Sequence, residues 1–202
     1  ISTPPRPLLK DLDLIPFPDR RSMFVVDAKG MVKYSYECRD MLASRGCPYP
    51  CTFCCAFEAW GTRKPRFRSI DNIIEECVYL NTTFNQKYFI FWDDLFTVNR
   101  QRTMELCEKI IQKSLNIKWL CVTRLNTLDT ELLKVMKVAG CYEIQTGIES
   151  GNDRVLYYIK KGISLELIRR QTPIIKQSGV DWRIFLMIGF PSETKEEIDD
   201  TL

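Results

Sequence analysis

Three cysteines, Cys47, Cys51 and Cys54, stand at Cys-x3-Cys-x2-Cys spacing in the run Arg45-Gly46-Cys47-Pro48-Tyr49-Pro50-Cys51-Thr52-Phe53-Cys54. Thiolates this close together bind soft metals. A cubane iron–sulfur cluster usually takes one thiolate per iron, so three ligands leave one iron open, and an open position is where chemistry happens. Structural zinc needs a fourth ligand. Cys55 is adjacent to Cys54 and badly placed to share a metal with it, and Cys38 lies on the other side of the preceding strand. The spacing therefore points to a three-thiolate 4Fe–4S cluster rather than zinc, with Cys55 a packed thiol. The sequence has no histidine, which removes Ser-His-Asp and Cys-His catalysis and every His-containing zinc site.

The other chemistry-bearing residues sit where short apolar runs end. Asp93-Asp94 follow Tyr88-Phe89-Ile90-Phe91-Trp92, Thr123-Arg124 follow Ile117–Val122, Gly147-Ile148-Glu149-Ser150-Gly151 close a run from Tyr142, and Gly189-Phe190-Pro191 close Val180–Ile188. In an α/β barrel the working residues lie at the C-terminal ends of the strands. Each of these residues taken alone reads equally well as a loop start or helix cap; five polar strand ends together do not.

The elements that must carry them alternate. Ile70, Ile73, Ile74, Cys77 and Val78 recur at helical spacing behind Ser69 or Asp71 as N-cap. Asn99, Asp129, Ser164 and Thr194 are placed to cap further helices, the last with Glu197 in a capping box. Gly140 and Gly179 are placed to end two of them, and Pro173 to kink one. The pattern gives about five βα units with parallel strands, in an open doubly wound sheet or a barrel. Residues 1–39 carry an early run of prolines and read as a linker and entry segment from an upstream domain; residues 40–202 read as the catalytic core, and the chain as a fragment incomplete at its C-terminus.

With 202 residues, 45% hydrophobic and a net charge of +3, the chain reads as an ordinary globular protein with neither a nucleic-acid nor a membrane surface. The longest apolar stretch, Ile184 to Phe190, is too short to span a bilayer. Cys77, Cys107, Cys121 and Cys141 are scattered singly through apolar segments, as buried thiols of a reduced, cytoplasmic protein are. The basic run Arg63, Lys64, Arg66, Arg68 reads as a solvated face, the alternatives being an anionic contact or a salt bridge that fixes the loop.

The sequence resembles the radical SAM superfamily, whose signature is Cys-x3-Cys-x-aromatic-Cys; residues 47–54 match it, with Phe53 in the aromatic slot. The resemblance covers about residues 40–202. It implies a partial (β/α)6 TIM-like barrel, here truncated at about five units. It also implies a 4Fe–4S cluster on Cys47, Cys51 and Cys54 that reductively cleaves S-adenosylmethionine (SAM) to a 5′-deoxyadenosyl radical, which takes hydrogen from a small-molecule substrate. The electron would come from a reductase, flavodoxin or ferredoxin. By position, Phe53 would lie against the adenine, and Asp93 or Asp94 would meet the methionine amino group in place of the usual Gly-Gly-Glu. Glu149 would take the ribose hydroxyls, and Ile188-Gly189 would pass the adenine. Arg124 would pair with the SAM carboxylate or make a strand-end salt bridge.

Ser44-Arg45-Gly46-Cys47-Pro48, Phe91-Trp92-Asp93-Asp94-Leu95-Phe96, Gly147–Gly151 and Gly189-Phe190-Pro191-Ser192-Glu193-Thr194 resemble more narrowly the branch with an N-terminal cobalamin-binding domain. That branch includes methyltransferases and anaerobic magnesium-protoporphyrin ester cyclases, with Phe190 and Ser192 as mild departures from its last motif. Cobalamin is then implied for the full-length protein and not for this chain alone, which lacks the Asp-x-His-x-x-Gly motif. A methylthiotransferase-like protein, or a non-catalytic Fe–S or zinc module, is the alternative.

Overall fold

Apolar runs bounded by capping residues become the strands and helices of a computed structural model, which describes residues 6–22, 24–26, 28–30, 32–34 and 39–202. An antiparallel hairpin of β1 (Phe24–Val26) and β2 (Val32–Tyr34) comes first. β3 (Asp40–Met41) follows, and then β4 (Ser44–Arg45), which pairs antiparallel with β5 (Arg66–Phe67). Between β4 and β5 lie the cysteine loop and α1 (Ala56–Trp60). The remainder alternates: α2 (Ile70–Phe84), β6 (Tyr88–Phe91), α3 (Arg100–Gln112), β7 (Lys118–Thr123), α4 (Thr130–Val138), β8 (Cys141–Glu149). α5 (Asp153–Tyr158), α6 (Leu165–Ser178), β9 (Asp181–Leu186) and α7 (Lys195–Asp199) complete it.

The main sheet has the order β3-β6-β7-β8-β9 with every pair parallel. Strand order follows chain order with no reversal. A doubly wound sheet reverses at its switch point, so the winding is that of a barrel opened along one side, and the five βα units are as expected. All five C-terminal strand ends therefore fall on one rim.

Local signals act as read. Ser69, Asn99, Asp129 and Ser164 accept from the backbone N–H of Asn72, Arg102, Leu132 and Leu167, and Thr194 with Glu197 forms the capping box. Gly140 has φ +96°, and a Cβ there would lie 2.1 Å from the Ile117 carbonyl oxygen, so the turn from α4 into β8 admits only glycine. α6 continues through Pro173 to Gly179. The core lies between sheet and helices: Phe89, Phe91, Trp119, Cys121 and Ile144 from the strands meet Ile73, Cys77, Leu106, Leu133 and Met136 from the helices. Cys77, Cys107, Cys121 and Cys141 are all buried, and desolvation pushes the Cys77 thiol up to about 12, which keeps it neutral and inert. Among the described residues no helix is long and apolar enough to cross a membrane.

The early proline-rich segment packs against the barrel. Leu12 and Arg20 are buried, and Arg20 reaches Glu76 of α2 at 3.1 Å and the Asp40 carbonyl at 2.6 Å. Arg68, from the basic run, approaches the same carboxylate from the other side at 2.6 Å. The run is thus not a plain solvated face: Arg68 is half of an internal network, while Arg66 donates to the Leu9 carbonyl. Glu76 is 2% exposed. Removing a buried acid between two guanidiniums leaves their charges uncompensated, so Glu76→Ala is expected to cost about 3–5 kcal/mol, read as a fall in the urea midpoint. A loss below about 1 kcal/mol would place the pair among the weak surface bridges.

Candidate functional site

The segment from Gly46 to Cys55 is neither helix nor strand, so its shape comes from what holds it. Gly46 opens it at φ +98°. Two carboxylates at the end of β6 fasten its base. Asp93 accepts from Ala43 N at 3.0 Å and from Ser44 Oγ at 2.5 Å. Asp94 accepts from Gly46 N at 3.1 Å and from Trp60 Nε1 at 2.6 Å, both on Oδ2. One carboxylate thereby ties the residue before the first cysteine to the end of α1.

The middle of the loop is held from the end of α5, from the segment after α1 and from the end of β7. Thr52 N donates to the Ile159 carbonyl at 3.0 Å. Arg63 donates to the Tyr49 carbonyl at 2.6 Å, which makes this member of the basic run a loop brace. Asn126 donates to the Tyr49 hydroxyl at 3.0 Å, and the Tyr49 ring lies 3.8 Å from the Arg124 guanidinium carbon. Arg124 is 6% exposed. Its Nη1 donates to Cys51 Sγ at 3.3 Å, its Nε to Asn126 at 3.3 Å, and its Nη2 to the Lys161 carbonyl. Among the described residues the guanidinium is met by a thiol and two neutral acceptors and not by a carboxylate.

Of the three thiols Cys51 is buried, Cys47 half-buried and Cys54 exposed. Burial pushes the Cys47 thiol up, against the pull of the Tyr49 backbone and Arg124. The backbone N–H of Ala56 points at Cys54 Sγ from 3.5 Å. Cys55 is exposed rather than packed, and Cys38 lies outside the described residues. Among the described residues no three Cys, Asp or Glu side chains converge on a single metal ion. Three soft thiols lie on one loop and two of them are met by N–H donors, a donor type that iron–sulfur centres take.

Across from the loop, β8 ends in a register shift between Gly147 and Glu149. The extra residue, Ile148, re-aims the strand end, and Glu149 takes φ +70°. A non-glycine residue held there is strained, and strain of this kind gathers at functional positions. Glu149 is buried and paired with Lys161 Nζ at 2.8 Å, both side chains 7% exposed. A Cβ on Gly147 would lie 1.9 Å from the Glu149 carboxylate and 2.7 Å from the ammonium, so glycine makes the room for this pair. Lys161 Nζ also stands 5.7 Å from the Phe53 ring centre, and Phe53 packs against Phe190 at 5.8 Å. Met187 N donates to the Glu149 carbonyl at 2.9 Å, which brings Ile188 and Gly189 alongside. Ile188 is 57% exposed, and nothing lies within 4 Å of a Cβ built on Gly189, so this stretch borders open space.

The structure thus brings Cys47, Cys51, Cys54, Phe53, Asp94, Arg124 and Glu149 to one rim, with Ile188-Gly189 as its open wall. Asp93 is 1% exposed and turned into the protein beneath the loop. Lys161, Tyr49, Ser44 and Trp60 were not among the sequence-derived candidates. A lysine twelve residues past its carboxylate partner, across a helix, leaves no periodic signal. Trp60 and Ser44 look like ordinary α1 and strand residues until the aspartates are seen to reach them.

Over residues 41–202 the chain matches the radical SAM superfamily. It is 35% identical over 202 residues to an uncharacterized methyltransferase, PH0819, of Pyrococcus horikoshii, covering 98% of this chain and 42% of that protein. It is 26% identical over 205 residues to the anaerobic magnesium-protoporphyrin IX monomethyl ester cyclase of Rubrivivax gelatinosus, covering 100% of this chain and 36% of that protein. The chain therefore spans well under half the length of these relatives. Among solved structures, the cobalamin-dependent S-adenosylmethionine radical enzyme OxsB with aqua-cobalamin and S-adenosylmethionine bound superposes with a TM-score of 0.70 at 19% identity, over 88% of this chain and 31% of that one. The methyltransferase TsrM from Kitasatospora setae gives 0.70 at 16% over 81% of this chain and 33% of that one. Both likenesses are of fold.

Asp93 offers a test of the loop's foundation. Burial pushes its carboxyl up to about 6, although the bonds from Ser44 and Ala43 act the other way. The folded state thus holds this proton more tightly than the unfolded state, whose value is about 3.9. Its contribution to stability is greatest below about pH 4, falls as pH rises to about 6, and is flat above. Wild type relative to Asp93→Asn should lose up to about 3 kcal/mol across that window, measured by urea unfolding of the metal-free protein at closely spaced pH values. A difference curve that is flat, or that rises with pH, would contradict the sign.

Proposed function

The chain belongs to the radical SAM superfamily and is an enzyme of that class, and from that premise we propose that its rim is built to bind S-adenosylmethionine against a 4Fe–4S cluster on Cys47, Cys51 and Cys54. The observation that carries the reading is the placement of a three-thiol loop opposite the strained, buried Glu149. When bound and reduced by an external donor, such a cluster would supply the electron for reductive cleavage of the S–C5′ bond of S-adenosylmethionine to the 5′-deoxyadenosyl radical. The protein's part is to bind, orient and exclude water.

Glu149 accepts from the ribose hydroxyls, and its pairing with Lys161 holds the carboxylate in one rotamer. The Lys161 ammonium, next to Phe53, holds Glu149 in place at this end of the site. Phe53 offers a ring face to the adenine, and Ile188-Gly189 line its edge. Of the two aspartates, Asp94 is the one suited to the methionine amino group, because both of its internal donors meet Oδ2 and leave Oδ1. Asp93 supports it from below.

For the whole protein we propose a cobalamin-dependent methyltransferase or cyclase acting on a small molecule, with a cobalamin-binding domain before Ile1 and a further βα unit after Leu202. It would work in the cytoplasm with a reductase, flavodoxin or ferredoxin as electron donor. Support comes from the names of the relatives and of the similar solved structures, and from β9, where Ile184, Phe185 and Leu186 are exposed on an edge that another parallel strand would cover. A full-length protein that cleaves SAM but binds no cobalamin would move the reading to another branch.

Anaerobic reconstitution is expected to give about four irons per chain. Cys47→Ala, Cys51→Ala or Cys54→Ala should abolish uptake, while Cys55→Ala should not. Stoichiometric zinc with no iron would sink the cluster. Glu149→Ala should keep the iron and weaken SAM binding by about 10- to 150-fold, the equivalent of roughly 1.5–3 kcal/mol for one charged hydrogen-bonding group; unchanged affinity removes Glu149 from the site.

A further inference from the structure

We infer that Arg124 sets the reduction potential of the metal centre on the cysteine loop through its hydrogen bond to Cys51; this rests on the cluster reading above. The contact is Nη1–H to Sγ at 3.3 Å, between a guanidinium 6% exposed and a cysteine 8% exposed. The other arms of the guanidinium are spent on Asn126 and the Lys161 carbonyl, and its face on Tyr49. These anchors fix the group, and none of them is a carboxylate. The positive charge is therefore aimed at the thiol with no carboxylate hydrogen-bonded to it among the described residues and with little water to screen it.

One-electron reduction adds a negative charge to the cluster and its thiolates. The electron comes from a low-potential donor, and no proton accompanies it. A fixed cation in a poorly solvated site stabilises the more negative form more than the less negative one, so the potential rises. Cys54, by contrast, receives the neutral Ala56 N–H at 3.5 Å and no charged donor among the described residues. Arg124 thus bonds Cys51 directly and acts on Cys47 only through space. It acts through Cys51 and is a positioning residue. A guanidinium serving the SAM carboxylate instead would change affinity and leave the potential alone.

The experiment uses the protein labelled with 15N at arginine, reconstituted anaerobically and reduced with dithionite without SAM. Iron near four per chain and the signal of a reduced cubane establish the centre; if they are missing, the cluster reading fails, and this inference with it. With the centre present, pulsed EPR should resolve a weak arginine 15N coupling. Arg124→Gln should lose that coupling and lower the midpoint potential, with Arg124→Lys between the two. A wild-type spectrum with no arginine coupling overturns the inference. So does a variant whose potential is unchanged while SAM affinity falls tenfold or more, which would return Arg124 to the SAM carboxylate. If neither variant takes up iron, the labelled wild-type spectrum decides alone.

Discussion

A ten-residue stretch with no regular structure, Gly46 to Cys55, carries three thiols, and it is ordered mainly by groups at the ends of strands, with Ile159 at the end of α5 and Arg63 after α1 adding to them. The Asp94 carboxylate is the most economical of these ties. Its one oxygen joins Gly46, before the first cysteine, to Trp60, at the end of α1. Backbone freedom in such a segment costs roughly 1–2 kcal/mol per residue to remove. Local hydrogen bonds of about 1 kcal/mol each do not offset that alone. The ties succeed because the strand ends that carry them are already fixed by the sheet, so the loop is ordered against a rigid frame.

Asp93 shows what this costs. Its carboxyl is buried, and desolvation outweighs the two hydrogen bonds it accepts, which is why its proton is held up to about 6. The buried carboxylate at the end of β8 is managed differently. Glu149 is given a counter-ion in Lys161, and Gly147 leaves the space for both. A buried ion pair seldom adds net stability over apolar packing, and φ +70° at Glu149 adds strain. Both expenditures fall at one strand end, on the face where the cysteine loop also lies. Structural economy would have placed an apolar residue in unstrained backbone there.

Much of this was legible in the sequence. Caps at Ser69, Asn99, Asp129, Ser164 and Thr194 announce themselves by residue type and by the apolar period that follows, because capping is a local interaction. Strand ends could be read because strands in a barrel are short apolar runs with polar termini. What could not be read is pairing across the rim. The partners of Arg124 are Cys51 and Lys161, separated from it by 73 and 37 residues, and nothing local distinguishes a thiol hydrogen bond from a salt bridge. The same holds for the register shift at Ile148, which depends on β9 as well as β8. The winding itself was open until strand order was seen, since alternation of strand and helix is common to barrels and doubly wound sheets.

Lys161 joins the two halves of the rim. Its side chain holds Glu149, and its backbone carbonyl accepts from Arg124, whose other arm meets Cys51. Ile159, two residues earlier, takes the Thr52 N–H from the cysteine loop. The turn between α5 and α6 is therefore a bracket with one arm on the thiols and the other on the carboxylate. Movement of that turn would shift both at once, so their separation is set by a single short segment and not by two independent loops. A site that must bring a metal centre and a small cofactor into a fixed relation gains from such a bracket, because errors in placing its two halves are then correlated instead of cumulative.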